Sequence, residues 1–230
     1  MNKTIKTFLT IVSSLFISAA SYAAPGFTIG ASGSLMVLAA EGTETKATGN
    51  TVTEYGAMEA SHGAVFVEVA PNDNIAIGIE AVIHDIDSDE NVNVQHDGNT
   101  QGGNPVSAGN GTAKTNTAKV SLEDMMTLYV MFKHDNGVYV KLGAVQGDVI
   151  TKEVLGTGGS YGNVDLEGIT VGLGFRNELD NGAFIGVELA GYEIDDMEAT
   201  NTSDGAGKHK KVKIQDILGA SASLKFGKTF

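Results

Sequence analysis

The stretch Ile169-Thr170-Val171-Gly172-Leu173-Gly174-Phe175-Arg176 alternates apolar residues with small or charged ones. Successive side chains of a β-strand point to opposite faces, so this period of two is typical of a strand whose faces meet different environments. The same pattern recurs from Phe27 onward and predicts eight strands. We place them at about 27–40, 58–70, 74–86, 119–133, 138–150, 164–179, 183–196 and 212–230.

The connections between these segments alternate in length. Three are tight turns, at 71–73, 134–137 and 180–182, and the last two contain the Asn-Gly pair that supplies positive φ in a hairpin. The other four, at about 41–57, 87–118, 151–163 and 197–211, are long and rich in Gly, Asn, Thr and Asp. Short turns at one end and long loops at the other are typical of outer-membrane barrels. The sequence therefore predicts an all-β fold: an eight-stranded antiparallel up-and-down transmembrane β-barrel with short periplasmic turns and long extracellular loops.

The composition narrows the classes of protein that fit this chain. Its 230 residues include 30 Gly without a Gly-X-Y period, and 42% are apolar, which excludes collagen and disorder. The absence of Cys excludes disulfides and thiolate metal sites. The formal charge of -13 argues against nucleic-acid binding, which needs a basic surface.

The first residues have the features of a secretory signal. Lys3 and Lys6 form the charged region, 8–17 the apolar region, and Ser21-Tyr22-Ala23 a cleavage site of small residues. An uncleaved anchor is the alternative, but the apolar stretch is short for a membrane span. We expect a signal peptide over 1–23 and a barrel domain over 24–230, with net charge -15 because the signal contains two Lys and no acids.

Later apolar runs are also short. The run Leu35-Met36-Val37-Leu38-Ala39-Ala40 is among the longest, and it falls far below the length of a transmembrane helix. A helical membrane protein is therefore excluded.

The polar face of the predicted strands would line the barrel interior. Its residues are small or charged, which suits an eight-stranded barrel whose interior is only wide enough for side chains. Six charges of both signs fall on this face: Glu68, Glu80, Lys141, Arg176, Glu188 and Lys225. Because isolated buried charges are costly, we expect an ion-pair network across the lumen. The alternative is a soluble sheet on which these charges are simply solvated.

Aromatic residues on the apolar face gather at the short-turn ends of the strands. They are Phe27, Phe132, Phe175, Phe226 and Phe230. Aromatic residues at one level form a girdle at a membrane interface, so these five predict a periplasmic girdle. A weaker girdle near the long loops would contain Tyr55, Tyr161 and Tyr192.

With this architecture and the terminal stretch Leu224-Lys225-Phe226-Gly227-Lys228-Thr229-Phe230, the chain resembles the bacterial eight-stranded outer-membrane barrel superfamily. That group includes the OmpA membrane domain, OmpX, OmpW and the opacity-type surface proteins. The resemblance implies that Leu224, Phe226 and Phe230 form an insertion signal, read by the outer-membrane assembly machinery after periplasmic chaperones deliver the chain. It also implies an outer-membrane location in a Gram-negative bacterium.

Two sets of residues were weighed as chemical sites. Asp85-Ile86-Asp87-Ser88-Asp89-Glu90 has the D-x-D-x-D spacing of a calcium loop, but Glu90 stands where Gly is required. This favours an acidic surface loop, with loose binding of divalent ions as the alternative. His62, His84 and Glu123 could lie toward the loop end, beside Ser61 and Asp85, as in barrels that modify lipids. No local motif fixes a nucleophile to a base, so we expect no enzyme activity, metal or cofactor.

These patterns lead to one functional expectation and several alternatives. We expect an integral outer-membrane barrel with a side-chain-filled lumen and a structural or surface-interaction role through acidic extracellular loops. Its partners would be outer-membrane lipids, lipopolysaccharide and the assembly factors, without nucleic acid, and the chain would be monomeric. The alternatives are a narrow porin-like channel for ions or small solutes, a lipid-modifying enzyme and a soluble periplasmic lipocalin-like carrier.

Overall fold

A computed structural model of the protein describes residues 26–45, 50–96, 100–101, 104–105, 113–155, 159–202 and 210–230. The expected signal peptide over 1–23 lies outside these residues and stays a prediction. Among the described residues, no helix is long and apolar enough to cross a membrane.

Eight long strands form the body of the molecule. They are β1 (Gly26–Thr45), β2 (Thr51–Asn72), β3 (Ile75–Val82), β8 (Ala113–Lys133), β9 (Val138–Leu155), β10 (Val164–Glu178), β11 (Ala183–Ile194) and β13 (Lys211–Thr229). Shorter strands lie in the connections: β4 (Ile86–Asp87), β5 (Asn91–His96), β6 (Thr100–Gln101), β7 (Asn104–Pro105) and β12 (Met197–Thr200). All eight predicted strands are confirmed, although β3 ends at Val82 rather than at 86. Several extend further into the long loops than the alternation indicated.

The eight long strands close into a ring. Each is antiparallel to its neighbours, and β13 pairs with β1. Following the register partners of Thr28 once around the ring returns to Leu38, a stagger of ten residues. Such a stagger means that the strands are strongly tilted, as in membrane barrels. The turns at 134–137 and 180–182 are confirmed, since Gly137 and Gly182 have φ of +88° and +79°. The first turn lies at 73–74 rather than 71–73, because β2 continues to Asn72.

The outer face of the ring is apolar over its middle and turn-side part. Leu35, Leu173, Leu189 and Leu224 project from four strands and are 58–68% exposed. Exposed apolar side chains in an unbroken band are unusual for a soluble protein and suit a lipid environment. We call this surface the apolar band.

Acidic residues follow the apolar band on the loop side. Along β10, Ile169 is succeeded on the outer face by Glu167 and Asp165, and along β11 Glu193 and Asp195 follow Leu189. Similar outward acids on other strands are Glu59, Asp148 and Asp216. Much of the negative charge thus lies where the wall leaves the hydrocarbon.

The wall is interrupted where β3 leaves β2. Regular pairing of these strands ends at Ala64 and Val82. The following segments, β4 and β5, pair with β8. In the described part of the chain, residues 51–62 of β2 therefore pair with β1 alone. We call the resulting break between β2 and β4 the lateral gap.

Gly78 makes room for an aromatic ring inside the barrel. A Cβ at this position would lie 2.5 Å from Tyr129 Cζ, so Gly78→Ala forces the ring to move and disturbs its hydrogen bond to Glu68. We expect this change to lower the free energy of unfolding by about 1–3 kcal/mol, measured by urea titration in detergent micelles. Gly33→Ala is the matched control, because a Cβ at Gly33 has no atom within 4 Å. Equal losses in the two variants would contradict this account.

Candidate functional site

The turn-side half of the lumen contains a bidentate ion pair. The Arg176 guanidinium donates to both carboxylate oxygens of Glu68, at 2.8 and 2.9 Å. The Tyr129 hydroxyl donates to the same carboxylate at 2.9 Å. Glu68 is 3% exposed, so its charge is held by partners rather than by water.

Four more charges form a second group beside this pair. Lys225 Nζ lies 2.8 Å from Glu80 Oε2 and 3.2 Å from Glu188 Oε2. Lys141 forms a short ion pair with Glu188 and lies 3.9 Å from Glu80. The Tyr139 hydroxyl also donates to Glu188, at 2.9 Å. We call the two groups together the charged layer.

The charged layer balances itself. It contains three carboxylates and three cations, and each of the six forms an ion pair with at least one of the others. Aromatic rings add to it, since Arg176 Cζ lies 4.0 Å from the centroid of Phe184 and Lys225 Nζ 5.3 Å from that of Phe66. The structure therefore brings together all six residues that the sequence assigned to the lumen. Glu68, Lys141, Glu188 and Lys225 are buried, and the side chains of Glu80 and Arg176 are only 13% and 9% exposed.

The loop-side half of the lumen contains an apolar cluster that the period of two did not predict. Inward side chains from six long strands and from β4 form one buried cluster: Met36, Ile86, Leu122, Val145, Val149, Leu166, Ile194 and Ile217. The run 35–40 indicates this cluster, because apolar residues without a period of two predict an apolar environment on both faces of a strand. These side chains pack against one another, and we call the region that they fill the apolar chamber. The expectation that the inner face is small or charged throughout is therefore wrong.

Methionines are concentrated at the apolar chamber. Met36 is buried in the cluster, and Met58, Met125 and Met197 pack against it. Methionine is flexible and polarisable, and it adapts to apolar partners of different shape. Met58 lies on β2, at the edge of the lateral gap.

The five girdle phenylalanines lie on the outer face at the turn end. Phe27, Phe132, Phe175, Phe226 and Phe230 are all exposed. The opposite girdle needs one correction. Tyr55 is on the outside, but Tyr192 points into the lumen, where its hydroxyl lies 3.1 Å from the Ser221 hydroxyl. Tyr192 lies close to the loops, as predicted, but it occupies an inward position of β11.

The rim residues weighed for catalysis do not form a constellation. Ser61 is opposite Leu35 on the outer face, whereas His62 is opposite Ser34 on the inner face. His84 accepts a hydrogen bond from the Gly63 N–H at 3.2 Å, and Glu123 pairs with Lys152 at 3.1 Å. In the described part of the chain, no group of three His, Asp or Glu side chains is placed to hold a metal.

No family model and no curated protein matches the sequence, but solved structures match the fold. The outer membrane protein OprG from Pseudomonas aeruginosa aligns with a TM-score of 0.59 and 14% identity, over 90% of this chain and 96% of OprG. This chain is an eight-stranded barrel of the outer-membrane type. The outer membrane protein AlkL aligns with a TM-score of 0.49 and 15% identity, over 91% of this chain and 92% of AlkL. At sequence identities this low, the similarity shows the fold alone. The fold and the apolar band agree with the outer-membrane location expected from the sequence.

The bidentate pair gives a direct test of the charged layer in this barrel. Arg176→Met leaves the Glu68 carboxylate buried without its main partner, so we expect a loss of about 3–5 kcal/mol in unfolding free energy. The double variant Arg176→Met with Glu68→Gln removes both charges and should recover much of that loss, as measured by urea unfolding. A double variant no more stable than the single one would contradict the ion-pair account.

Asp87 lies outside the apolar band, and the pKa of its carboxyl group provides a test of the ion pair that it forms. Its carboxylate lies 2.6 Å from Lys119 Nζ. Hydrogen bonds from Lys119 and Ser121 lower the pKa of Asp87 from 3.8 to about 2. A lowered carboxyl pKa stabilises the folded state above the unfolded pKa, and this contribution is lost as the pH falls through the folded pKa.

We therefore expect the Asp87 carboxyl signal to titrate near pH 2 in a ¹³C NMR experiment on the refolded protein. Lys119→Met should move the midpoint up toward 3.8, because it removes the largest cause of the shift. A wild-type midpoint that Lys119→Met leaves unchanged would show that the pair does not form.

Proposed function

We propose that the packed side chains of the apolar chamber move apart to admit a small apolar molecule, and that this integral outer-membrane barrel then releases the molecule sideways, through the lateral gap, into the bilayer. The observation that carries the proposal is the position of the chamber. It lies between the long loops and the charged layer, and the wall beside it lacks strand pairing between β2 and β4 in the described residues.

The charged layer favours release of the ligand through the lateral gap over passage straight through the lumen to the periplasm. An apolar molecule that continued toward the periplasm would have to separate Glu80, Glu188, Lys141 and Lys225, which are largely buried and ion-paired with one another. Breaking a buried ion pair costs several kcal/mol. Leaving through the gap costs much less, because the molecule passes from one apolar environment to another.

The same layer argues against the narrow porin-like channel. An ion entering from the loops would first cross the apolar chamber, where it loses hydration without gaining partners. It would then meet a layer whose charges already satisfy one another. Discrete conductance steps of the refolded wild-type protein in planar bilayers would reverse this ranking.

A surface-interaction role is the second candidate, favoured by the strands that extend past the outward acids. Tyr55 on β2, Val92 and Val94 on β5, and Val154 on β9 are more than half exposed on this extension. Exposed apolar residues beyond the bilayer suit contact with another macromolecule. This second candidate function includes an interaction with lipopolysaccharide. It also includes delivery of the chain by chaperones and recognition of Leu224, Phe226 and Phe230 by the assembly machinery.

A single tryptophan tests binding in the chamber. The chain contains no Trp, so Met58→Trp places the only indole beside the apolar cluster. With the refolded protein in micelles, we expect 1-bromooctane to quench this fluorescence saturably and octane to reverse the quenching, because both compete for one site.

Phe132→Trp is the matched control, because this position lies on the outer face of the girdle. Quenching there should rise without saturation as the bromoalkane dissolves in the micelle. If both indoles respond in this unsaturable way, the chamber holds no apolar ligand and the proposal is wrong.

A further inference from the structure

His62 is the first inward residue of β2 beyond the end of regular β2–β3 pairing. Its register partner on β1 is Ser34, whose buried side chain faces the lumen. Ala60 and Met58 follow on the same face and pack against the apolar chamber. His62 is therefore at the inner corner of the lateral gap, between the charged layer and the chamber.

The imidazole of His62 has an unused hydrogen-bonding atom. Nδ1 is buried and has no hydrogen-bond partner. Among the described residues, it is the one buried side-chain nitrogen or oxygen atom of which this is true. Neighbouring groups are already engaged. The Ser34 hydroxyl lies 2.8 Å from that of Ser223, and the Gly63 N–H donates to His84. An unsatisfied buried polar atom is unfavourable, so a ligand that satisfied it would be favoured.

The charge of the lumen limits what such a ligand can be. The charged layer has three acids and three bases, so it offers no spare cation to a carboxylate and no spare anion to an amine. A neutral head group adds no uncompensated charge to this apolar surrounding. A hydroxyl also suits either imidazole tautomer, because it can donate or accept, whereas a ketone or ether can only accept.

We propose that His62 anchors the hydroxyl group of a neutral molecule with an apolar body, such as an aliphatic alcohol, at the inner end of the lateral gap. The inference rests on the proposed function, since the apolar body occupies the chamber. It adds the ligand class and the residue that selects it. Alcohols are thereby preferred over alkanes of the same length and over the corresponding carboxylates.

Competition with bromooctane in the Met58→Trp protein tests the preference. With concentrations expressed as mole fraction in the micelle, 1-octanol should displace the quencher at about a two- to tenfold lower level than octane, the gain expected of one hydrogen bond. Octanoate at neutral pH should be the weakest competitor. Adding His62→Leu should make octanol and octane equal while leaving saturable quenching in place.

Two controls keep the result interpretable. His134→Leu changes a histidine in a periplasmic turn, far from the gap, and should preserve the preference for octanol. In protein with native His62 and Met58, octanol but not octane should shift the ¹⁵N signal of the labelled His62 ring, a readout that does not depend on the folding of a variant.

The outcomes separate the two proposals. Saturable quenching with equal displacement by octane and octanol would overturn the role of His62 and leave apolar binding standing. Stronger displacement by octanoate would overturn the neutral head group. If quenching is not saturable at all, the proposed function fails and the His62 inference fails with it.

Discussion

Closure of the strand ladder is the constraint on which the rest of the structure depends. In hydrocarbon, every backbone N–H and C=O must find a partner in the protein, and only a closed ring of strands provides this without an edge. Pairing of β13 with β1 completes that ring. With eight strands, the interior is then only wide enough for side chains, so what fills it decides what the protein can pass.

The lumen is divided because different kinds of side chain fill its two halves. On the turn side, Glu68, Arg176 and their neighbours fill the space with charges that cancel. On the loop side, Met36, Leu122 and Ile217 fill it with apolar atoms. The lateral gap opens beside the apolar half, where β2 also turns polar on its outer face at Ser61 and Glu59. Unpaired backbone is tolerated along the lateral gap because only its turn-side end, beside Val65 and Ile83, borders the apolar band, whereas a break lower down would face lipid along its whole length.

Much of this arrangement could be predicted from local pattern. Alternation in 169–176 placed both faces of β10, and the same parity placed Glu68 and Arg176 on the inner face although they are 108 residues apart. The run 35–40 is less informative. An apolar run has no period of two, so it does not show which of its side chains point inward and pack together. Tyr192 was assigned by its closeness to a loop, and the register of β11 places it inside.

The sequence by itself determined the strands, the tight turns and which face of each strand is apolar, because these depend on residues a few positions apart. Only the tertiary structure decided which charges pair, where β3 parts from β2, and that His62 Nδ1 is left without a partner. The physical reason is that these features depend on the stagger of the closed ring. A stagger of ten residues sets which inward positions share a level, and no local pattern encodes it.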